Sequence, residues 1–421
     1  MKSQLRFDAV VIGGGMAGLT AGTRLAQAGA KVAVLAKGYG STHLSPGTID
    51  VLGYAPERVT SPAQALERLV GERSDHPYAL VGVDAVSDSL RWFADCAAAG
   101  PLPSYSYVGD LERNLLIPTA MGVMRPSAMV PSTMAAGSEL GTVAIASVPA
   151  LREFYPSLCA ANLTAAGILA RGISVPMAME QADMNPLGMA RRFEDPGWRG
   201  HFCAQLLPML RSEDQVGLPA MLGVRDPATV VADLERRLGR TVFEIPTLPP
   251  SVPGMRRYEI LRSALRAAGG RLVLGGDVIS HERSGARVTS VSTHAAGRDL
   301  TYGADWFVLA SGGFASGAIE LDSHWVTHER VLGLALRGVP EDGAPRFAPE
   351  YLAEQPLAAA GVAVDSRLRA EGTDNVFVAG ASLPGAAPWR EGSGEGIALA
   401  TGYAAADAIA AGLRTKEGVA S

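Results

Sequence analysis

The sequence predicts an α/β fold: a Rossmann-like sheet domain interrupted by an inserted α+β second domain. Three observations predict it. A short apolar run ends in a glycine cluster that opens a helix, between residues 7 and 28. Two further glycine turns follow apolar runs near residues 311 and 380. Between the first turn and the second, residues 101–150 are rich in Pro, Ser, Thr and Val, and 151–250 mix helical and strand-like patterning. The organisation read from this is 1–100 and 251–421 as two parts of one sheet domain, with 101–250 inserted.

The first unit sets the argument. Phe7-Asp8-Ala9-Val10-Val11-Ile12 reads as a strand, Gly13-Gly14-Gly15-Met16-Ala17-Gly18 as a turn, the stretch to Ala28 as a helix closed by Gly29, and Lys31 to Ala36 as the next strand. A strand–turn–helix–strand unit of about 30 residues is the context a dinucleotide fingerprint requires. Gly13 makes the tight turn, Gly15 lets a phosphate approach the backbone, and Gly18 lets helix and strand pack closely. The helix N-terminus offers unpaired N–H groups and a positive dipole end. One part is missing: the acid that usually ends the second strand and holds an adenosine ribose is replaced by Ala36, followed by Lys37-Gly38.

Further along, Ala63 to Val70 and Ser87 to Ala99 pattern as helices, and Leu140 to Val148 as a strand. Arg152 to Gly172 and Pro227 to Leu238 pattern as helices, and Thr241 to Ile245 as a strand. Pro246, Pro249, Pro250 and Pro253 stiffen a connector that Gly254 releases. Arg257 to Ala268 is a helix capped by Gly269-Gly270. Strands follow at Arg271 to Leu274, Arg287 to Ser292, Asp305 to Ala310 and Asn375 to Gly380, and a last helix runs from Gly394 to Ala411. There is no internal repeat and no low-complexity tract.

Composition narrows the function classes. The 421 residues are 48% apolar and 19% charged, which argues against disorder. The net charge of −5 and scattered basic residues argue against nucleic acid as the main partner. Cys96, Cys159 and Cys203 stand far apart, so the expectation is buried thiols in a reducing compartment, with neither a disulfide framework nor an iron–sulfur cluster. The N-terminal apolar run is too short for a signal peptide. No uninterrupted apolar run reaches the roughly 18 residues of a membrane span, so the expectation is no direct transmembrane segment.

Three glycine-rich turns at strand ends are Gly13–Gly18, Ser311-Gly312-Gly313, and Gly380 with Gly392-Ser393-Gly394-Glu395-Gly396. Ligands of open α/β sheets bind at the carboxyl ends of strands. Three such turns suggest one long cofactor across several strand ends. The last turn opens a helix whose positive end suits an electron-rich ring that gains charge on accepting hydride.

This order of pieces resembles the glutathione-reductase-type FAD/NAD(P)-oxidoreductase superfamily. The resemblance rests on the first unit, Gly275-Gly276-Asp277-Val278, Val308 to Phe314 and Asn375 to Gly380. More narrowly, the chain resembles the B-subunit family of anaerobic glycerol-3-phosphate dehydrogenases. Phe7 to Gly15, His43-Leu44-Ser45-Pro46-Gly47-Thr48-Ile49-Asp50, His76-Pro77-Tyr78 and Pro246-Thr247-Leu248-Pro249-Pro250-Ser251-Val252-Pro253-Gly254-Met255-Arg256 carry that resemblance.

The narrower resemblance implies FMN as cofactor, with FAD the alternative, and oxidation of glycerol 3-phosphate to dihydroxyacetone phosphate with electrons passed to quinone. It implies two partners, an FAD-bearing large subunit (the A component) and an iron–sulfur subunit (the C component) that anchors at the membrane. It also implies a peripheral place on the cytoplasmic face of the inner membrane. Ala36 agrees with FMN, which has no adenosine ribose. Ala381 departs from the wider superfamily, in which an acid commonly follows the third glycine. Two other readings stay open: a non-catalytic electron-relay or scaffold subunit, and an independent flavin dehydrogenase or reductase of the fumarate-reductase sort.

Candidate cofactor residues are Gly13, Gly14, Gly15, Met16, Ala17, Gly18, Gly312, Gly313, Gly380, Gly394, Glu395 and Gly396. His43 is either a donor to a flavin phosphate or carbonyl, or a surface loop histidine. Ser45 and Thr48 are either partners of phosphate or ribityl oxygens, or ordinary turn residues. Arg256 and Arg257 could grip a substrate phosphate bidentately or begin a solvated helix. Arg390, with Glu391, could sit by the flavin ring or in an exposed loop. Glu395 suits a helix N-terminus without any catalytic role. His324 and His328 are four apart, as metal ligands on a helix can be, but no third ligand accompanies them. No residue is marked by spacing as the general base that alcohol oxidation needs.

Overall fold

In the computed structural model, which describes residues 4–178, 183–295, 298–341 and 343–420, the chain is built on a seven-stranded sheet. Its first strand, Gln4–Ile12, lies between Val32–Ala36 and the long strand Arg298–Leu309, parallel to both. Arg271–Leu274 extends the sheet beyond Val32–Ala36, and Val376–Val378 pairs with the far end of the long strand, both in parallel. The central strands are apolar on both faces, as a sheet covered on both sides must be: Val10, Val11, Ala33, Val34, Phe307 and Val308 are fully buried.

The long strand joins two kinds of pairing. Its first half runs antiparallel to Arg287–Ala295, which pairs with Val278–Ser284, and its second half is in the parallel sheet. Only that second half is marked in the sequence. The first half alternates polar residues and carries Gly303, so its apolar signal is weak.

The first helix, Met16–Gln27, packs on the sheet and against the last helix, Gly394–Ala420. By length and composition alone, Gly394–Leu413 would pass for a membrane span. Here Leu399, Ala400, Thr401 and Ala405 are fully enclosed, and the helix also packs on Val83–Ala98.

A second core is formed within 143–245. Its four parallel strands take the order Thr241–Ile245, Gln215–Pro219, Val143–Ser147, Ala170–Ser174. Two short antiparallel pairs, Tyr107–Gly109 with Met129–Pro131 and Leu115–Pro118 with Met124–Ser127, lie between the two sheets in sequence. The helix expected over 152–172 is in fact a helix, Pro156–Ala165, and a strand, Ala170–Ser174. Gly167, at φ +89°, turns the chain between them.

The Pro-rich connector is shorter than the sequence suggested. Ser251 caps a helix that runs Val252–Ala267, accepting a hydrogen bond from the Gly254 amide at 3.0 Å. Pro253 therefore sits in the first turn, where a missing N–H costs nothing. Gly254 is in the helix because the loop ahead crosses it: a Cβ there would stand 2.2 Å from the Thr42 carbonyl oxygen. The His43–Asp50 string and the Pro246–Arg256 string thus form one packed substructure, with the Ser251 amide donating to the His43 carbonyl at 2.9 Å.

Arg256 fastens this helix to the second sheet. Its guanidinium donates to both oxygens of Glu244, at 2.6 and 3.0 Å, and to the Gly223 carbonyl. Thr133 and the Leu222 amide complete the carboxylate. Both charges are shut away from solvent. Burial alone would lower the Arg256 pKa, but Glu244 more than reverses it, so the group stays charged. Removing one partner, as in Arg256→Met or Glu244→Gln, should cost on the order of 3–5 kcal/mol, because the other charge is left buried and unpaired. Urea unfolding of the variants measures this. The double variant R256M/E244L should recover most of the loss.

Candidate functional site

The three glycine turns converge. Gly13 follows the first strand at φ +119°, and a Cβ there would stand 2.0 Å from the Ala310 carbonyl oxygen at the end of the long strand. A Cβ on Gly18 would lie 1.9 Å from the Gly13 oxygen. Both positions therefore exclude side chains. Gly15 does not: a Cβ there meets nothing within 4 Å. Gly15 begins the first helix with no side-chain cap, so the amides of Met16, Ala17 and Gly18 have no intrahelical acceptor. Above Gly15, then, lies open space bordered by free N–H groups and a positive helix end, which suits a phosphate.

The second and third turns close on the first. Ser382 donates to the Gly312 carbonyl at 2.8 Å, and Gly313 packs on the Ala381 backbone. The Gly380 amide donates to Thr401 of the last helix at 2.8 Å. Beside these turns, Ser311 Oγ is buried without a partner among the described residues. The phosphate portion of a flavin nucleotide fits this cradle. The two acids that usually hold its sugars are absent, as the sequence indicated: Ala36 is buried against Gly14, and Ala381 is exposed.

Gly394, Glu395 and Gly396 form the first turn of the last helix. The Gly396 amide donates to the Asp50 carbonyl at 3.0 Å. Tyr78, fully buried, donates to the Val51 carbonyl at 2.7 Å and also meets that of Ser393. This explains the His76-Pro77-Tyr78 string. His76 Nδ1 accepts from the Tyr78 amide, and Nε2 lies 3.3 Å from Glu391. Burial pushes the Glu391 carboxyl up. The contacts with His76, Ser393 and the Ala387 amide overcome this and hold it below its usual value.

At the start of that helix two carboxylates and two guanidiniums are gathered. Asp50 accepts from Thr48 Oγ1 at 2.8 Å, from Ser127 Oγ at 2.6 Å, and from Arg125. Arg257 donates to the Thr48 carbonyl at 2.5 Å and to Ser45 Oγ, and lies 3.6 Å from Glu395. Arg257 and Asp50 are about 1% exposed; the Arg125 side chain is 34% exposed. Burial raises the Glu395 pKa most; the nearby negative charge of Asp50 adds to it, and Arg257 and Arg125 oppose it.

Several expected roles change. Arg256 is wholly used in its ion pair and cannot grip a substrate. Arg390 is exposed on the short helix Pro388–Glu391, with Glu354 at 3.7 Å, whereas its neighbour Glu391 is largely enclosed. The hydroxyls of Ser45 and Thr48 serve Arg257 and Asp50. His43 is half-buried in an aromatic group, stacked on Tyr39 at 4.5 Å and edge-on to Tyr258 at 5.1 Å; burial lowers its pKa. His324 and His328 lie around a hairpin, not on a helix face, and His328 Nε2 is 2.9 Å from Asp322. The three cysteines are buried, with thiol pKa values pushed up to about 11, which makes them poor nucleophiles. Asp50, Arg125 and Ser127 are site residues that sequence reasoning does not single out. Asp50 sits inside a longer string, and nothing in the spacing announces an arginine from a distant hairpin.

The sequence profile described as an FAD binding domain matches residues 8–397. A protein of Halobacterium salinarum, the probable B subunit of an anaerobic glycerol-3-phosphate dehydrogenase, is 33% identical, covering 96% of this chain and 97% of that one. The B subunit of the anaerobic glycerol-3-phosphate dehydrogenase of Pectobacterium atrosepticum is 31% identical, over 96% and 99%. A 3-ketosteroid delta1-dehydrogenase from Sterolibacterium denitrificans is similar in structure at 13% identity and a TM-score of 0.45, over 97% of this chain and all of that one. FMN as the first expectation finds no support in the profile, which is of an FAD-binding domain.

Two measurements check the cradle. Gly15→Val should abolish flavin retention while the apoprotein melts normally, because the added atoms enter open space. Gly13→Ala should lower the melting temperature sharply, because its Cβ meets backbone at a positive φ. The pH dependence of stability should show Glu391. Its folded pKa lies below its usual 4.5. Its contribution is therefore complete above that value and is lost as pH falls through the lower, folded one. The stability gap between parent and Glu391→Gln should narrow over that acid range.

Proposed function

The chain belongs to the FAD-binding domain family and, within it, to the B subunits of anaerobic glycerol-3-phosphate dehydrogenase, and from this premise we propose that it is the flavin-bearing subunit that oxidises sn-glycerol 3-phosphate to dihydroxyacetone phosphate and passes the electrons to quinone. The observation that carries the reading is the charge cluster at the first turn of the last helix. A phosphorylated alcohol needs a cation for its phosphate and a base for its hydroxyl proton. Arg125 and Glu395 are the groups of that cluster left with capacity for each.

Asp50 occupies one side of the Arg125 guanidinium and leaves the other donors to a substrate phosphate. Glu395 accepts the hydroxyl proton as the carbinol carbon gives up hydride. The bound flavin supplies the hydride acceptor. Burial lifts the Glu395 pKa toward the working range of a base. Arg257, too far for a tight bond at 3.6 Å, steadies the ionised form without quenching it. The positive end of the helix adds to the same effect.

The flavin in this reading is FAD, in keeping with the family profile. The electrons leave through the FAD-bearing large subunit and the iron–sulfur subunit, which holds the assembly peripherally at the cytoplasmic face of the inner membrane. The absence of acids at Ala36 and Ala381 favours one other reading: a relay subunit whose partner performs the hydride step. Flavin in the isolated chain that glycerol 3-phosphate bleaches supports the first reading. Flavin that is bleached only after the partner is added supports the second. A colourless protein would overturn both.

Arg125→Gln should raise KM for glycerol 3-phosphate about tenfold or more with a smaller change in kcat, a loss on the order of 1.5–3 kcal/mol. Glu395→Gln should lower kcat by about 10²–10⁴. The acid limb of the parent kcat profile should lie above 4.5, the usual value for this group, and should vanish in Glu395→Gln. Steady-state kinetics with an artificial acceptor reads each of these.

A further inference from the structure

The missing acid of the second strand has a counterpart one strand away. The last ladder pair between the two strands is Leu274 with Ala36. Pairing continues past it, because the Gly276 amide donates to the Ala36 carbonyl at 3.0 Å. The next residue is Asp277. Its carboxylate lies 3.4 Å from Nζ of Lys37, the residue that directly follows Ala36. A carboxylate is therefore present at the carboxyl end of strand Val32–Ala36, reached from the neighbouring strand.

We infer that Asp277 holds a ribose hydroxyl of an adenosine group whose phosphate rests on Gly15. The strand ends form a row. The Gly13 amide donates to the Leu35 carbonyl at 2.8 Å, and Gly14 packs on Ala36. Adjacent strands lie about 4.8 Å apart. A nucleotide that leaves the Gly15 cradle along this row passes Ala36, whose methyl group offers nothing to a hydroxyl, and arrives at Asp277.

The carboxylate is equipped to accept. Arg330 donates to Oδ1 at 2.9 Å and to Oδ2 at 3.4 Å. These bonds keep the group ionised, with its pKa below the usual carboxylate value. Two oxygens carry about four acceptor sites; Arg330 takes two and Lys37 one, which leaves one for a ribose hydroxyl. The Asp277 side chain is 32% exposed, so a ligand can reach it. Ala36 then has a positive role: its small side chain lets Gly14 lie flat against the second strand, where a Cβ on Gly14 would already stand 2.5 Å from its own.

The inference rests on the flavin reading and narrows it to the adenosine half. FMN ends at the phosphate and does not reach Asp277; FAD does. The test is titration of the apoprotein with FAD and with FMN, followed by quenching of flavin fluorescence. The parent should prefer FAD. Asp277→Ala should weaken FAD by tenfold or more and leave FMN within twofold, and Asp277→Asn should fall between. Arg330→Gln, which breaks the ion pair and keeps the carboxylate, should preserve the preference.

An unchanged FAD-to-FMN ratio in Asp277→Ala overturns the assignment and leaves the flavin reading standing. So does equal weakening of both flavins, or the same selective loss in Arg330→Gln. A parent that binds FMN as tightly as FAD overturns it as well. A parent that binds neither overturns both readings at once. Melting curves of the apoproteins separate lost binding from lost fold.

Discussion

Two adjacent arginines, both removed from solvent, hold this molecule together. A buried guanidinium is costly unless it is paired, and Arg256 and Arg257 each fix what lies around them, although Arg257 Nε has no partner among the described residues. Arg256 reaches into the second sheet through Glu244 and Gly223. Arg257, one residue on and so turned about 100° around the helix, reaches the 45–48 loop and the first turn of the last helix. One helical turn thus sets the second sheet, the loop after the second strand and the candidate catalytic cluster relative to one another. The crossing of Gly254 beneath Thr42 admits no intermediate arrangement, because any side chain there would meet backbone.

The site shows how a fold with inherited parts divides its tasks. The phosphate cradle needs only backbone: positive φ at Gly13, no side chain at Gly18, open space at Gly15. Such features depend on a few glycines and persist while the neighbouring side chains change. The sugar contacts depend on single carboxylates. Those can migrate to any element that ends nearby, as the geometry around Asp277 illustrates. The charge cluster needs three separate segments. Arg125 comes from a short hairpin, Asp50 from the loop after the second strand, and Glu395 from the end of the chain. None of them is useful without the other two segments in place.

The sequence is most legible where periodicity and backbone chemistry coincide. Pro227–Leu238, Thr241–Ile245 and Arg271–Leu274 can be read to the residue, since each is bounded by Asp-Pro, Gly-Arg or Gly-Gly punctuation. The run after Arg152 misleads because Pro156–Ala165 and Ala170–Ser174 are joined only by a short loop, and their apolar residues merge into one helix-like pattern. The glycine turns are legible as turns because sterics permits little else at Gly13 and Gly18. The arginine roles are not. Whether a guanidinium faces solvent, a substrate or a buried glutamate is decided by residues more than 200 positions apart, as with Arg257 and Thr48. Asp277 reads only as part of a glycine-containing string, because its neighbour in space, Lys37, is 240 positions earlier.

The packing of the first helix on the last has a consequence for how the protein is made. A Cβ on Gly402 would stand 2.5 Å from the Ala17 carbonyl oxygen, so the two helices touch backbone to backbone. Gly380 and Thr401 complete the same corner. During synthesis the turn at Gly13–Gly18 is made long before the helix Gly394–Ala420 that covers it. A nascent chain still on the ribosome therefore presents an exposed phosphate turn and an unpaired apolar helix face for most of its elongation. Flavin capture that depends on this corner therefore waits until the last helix has been made.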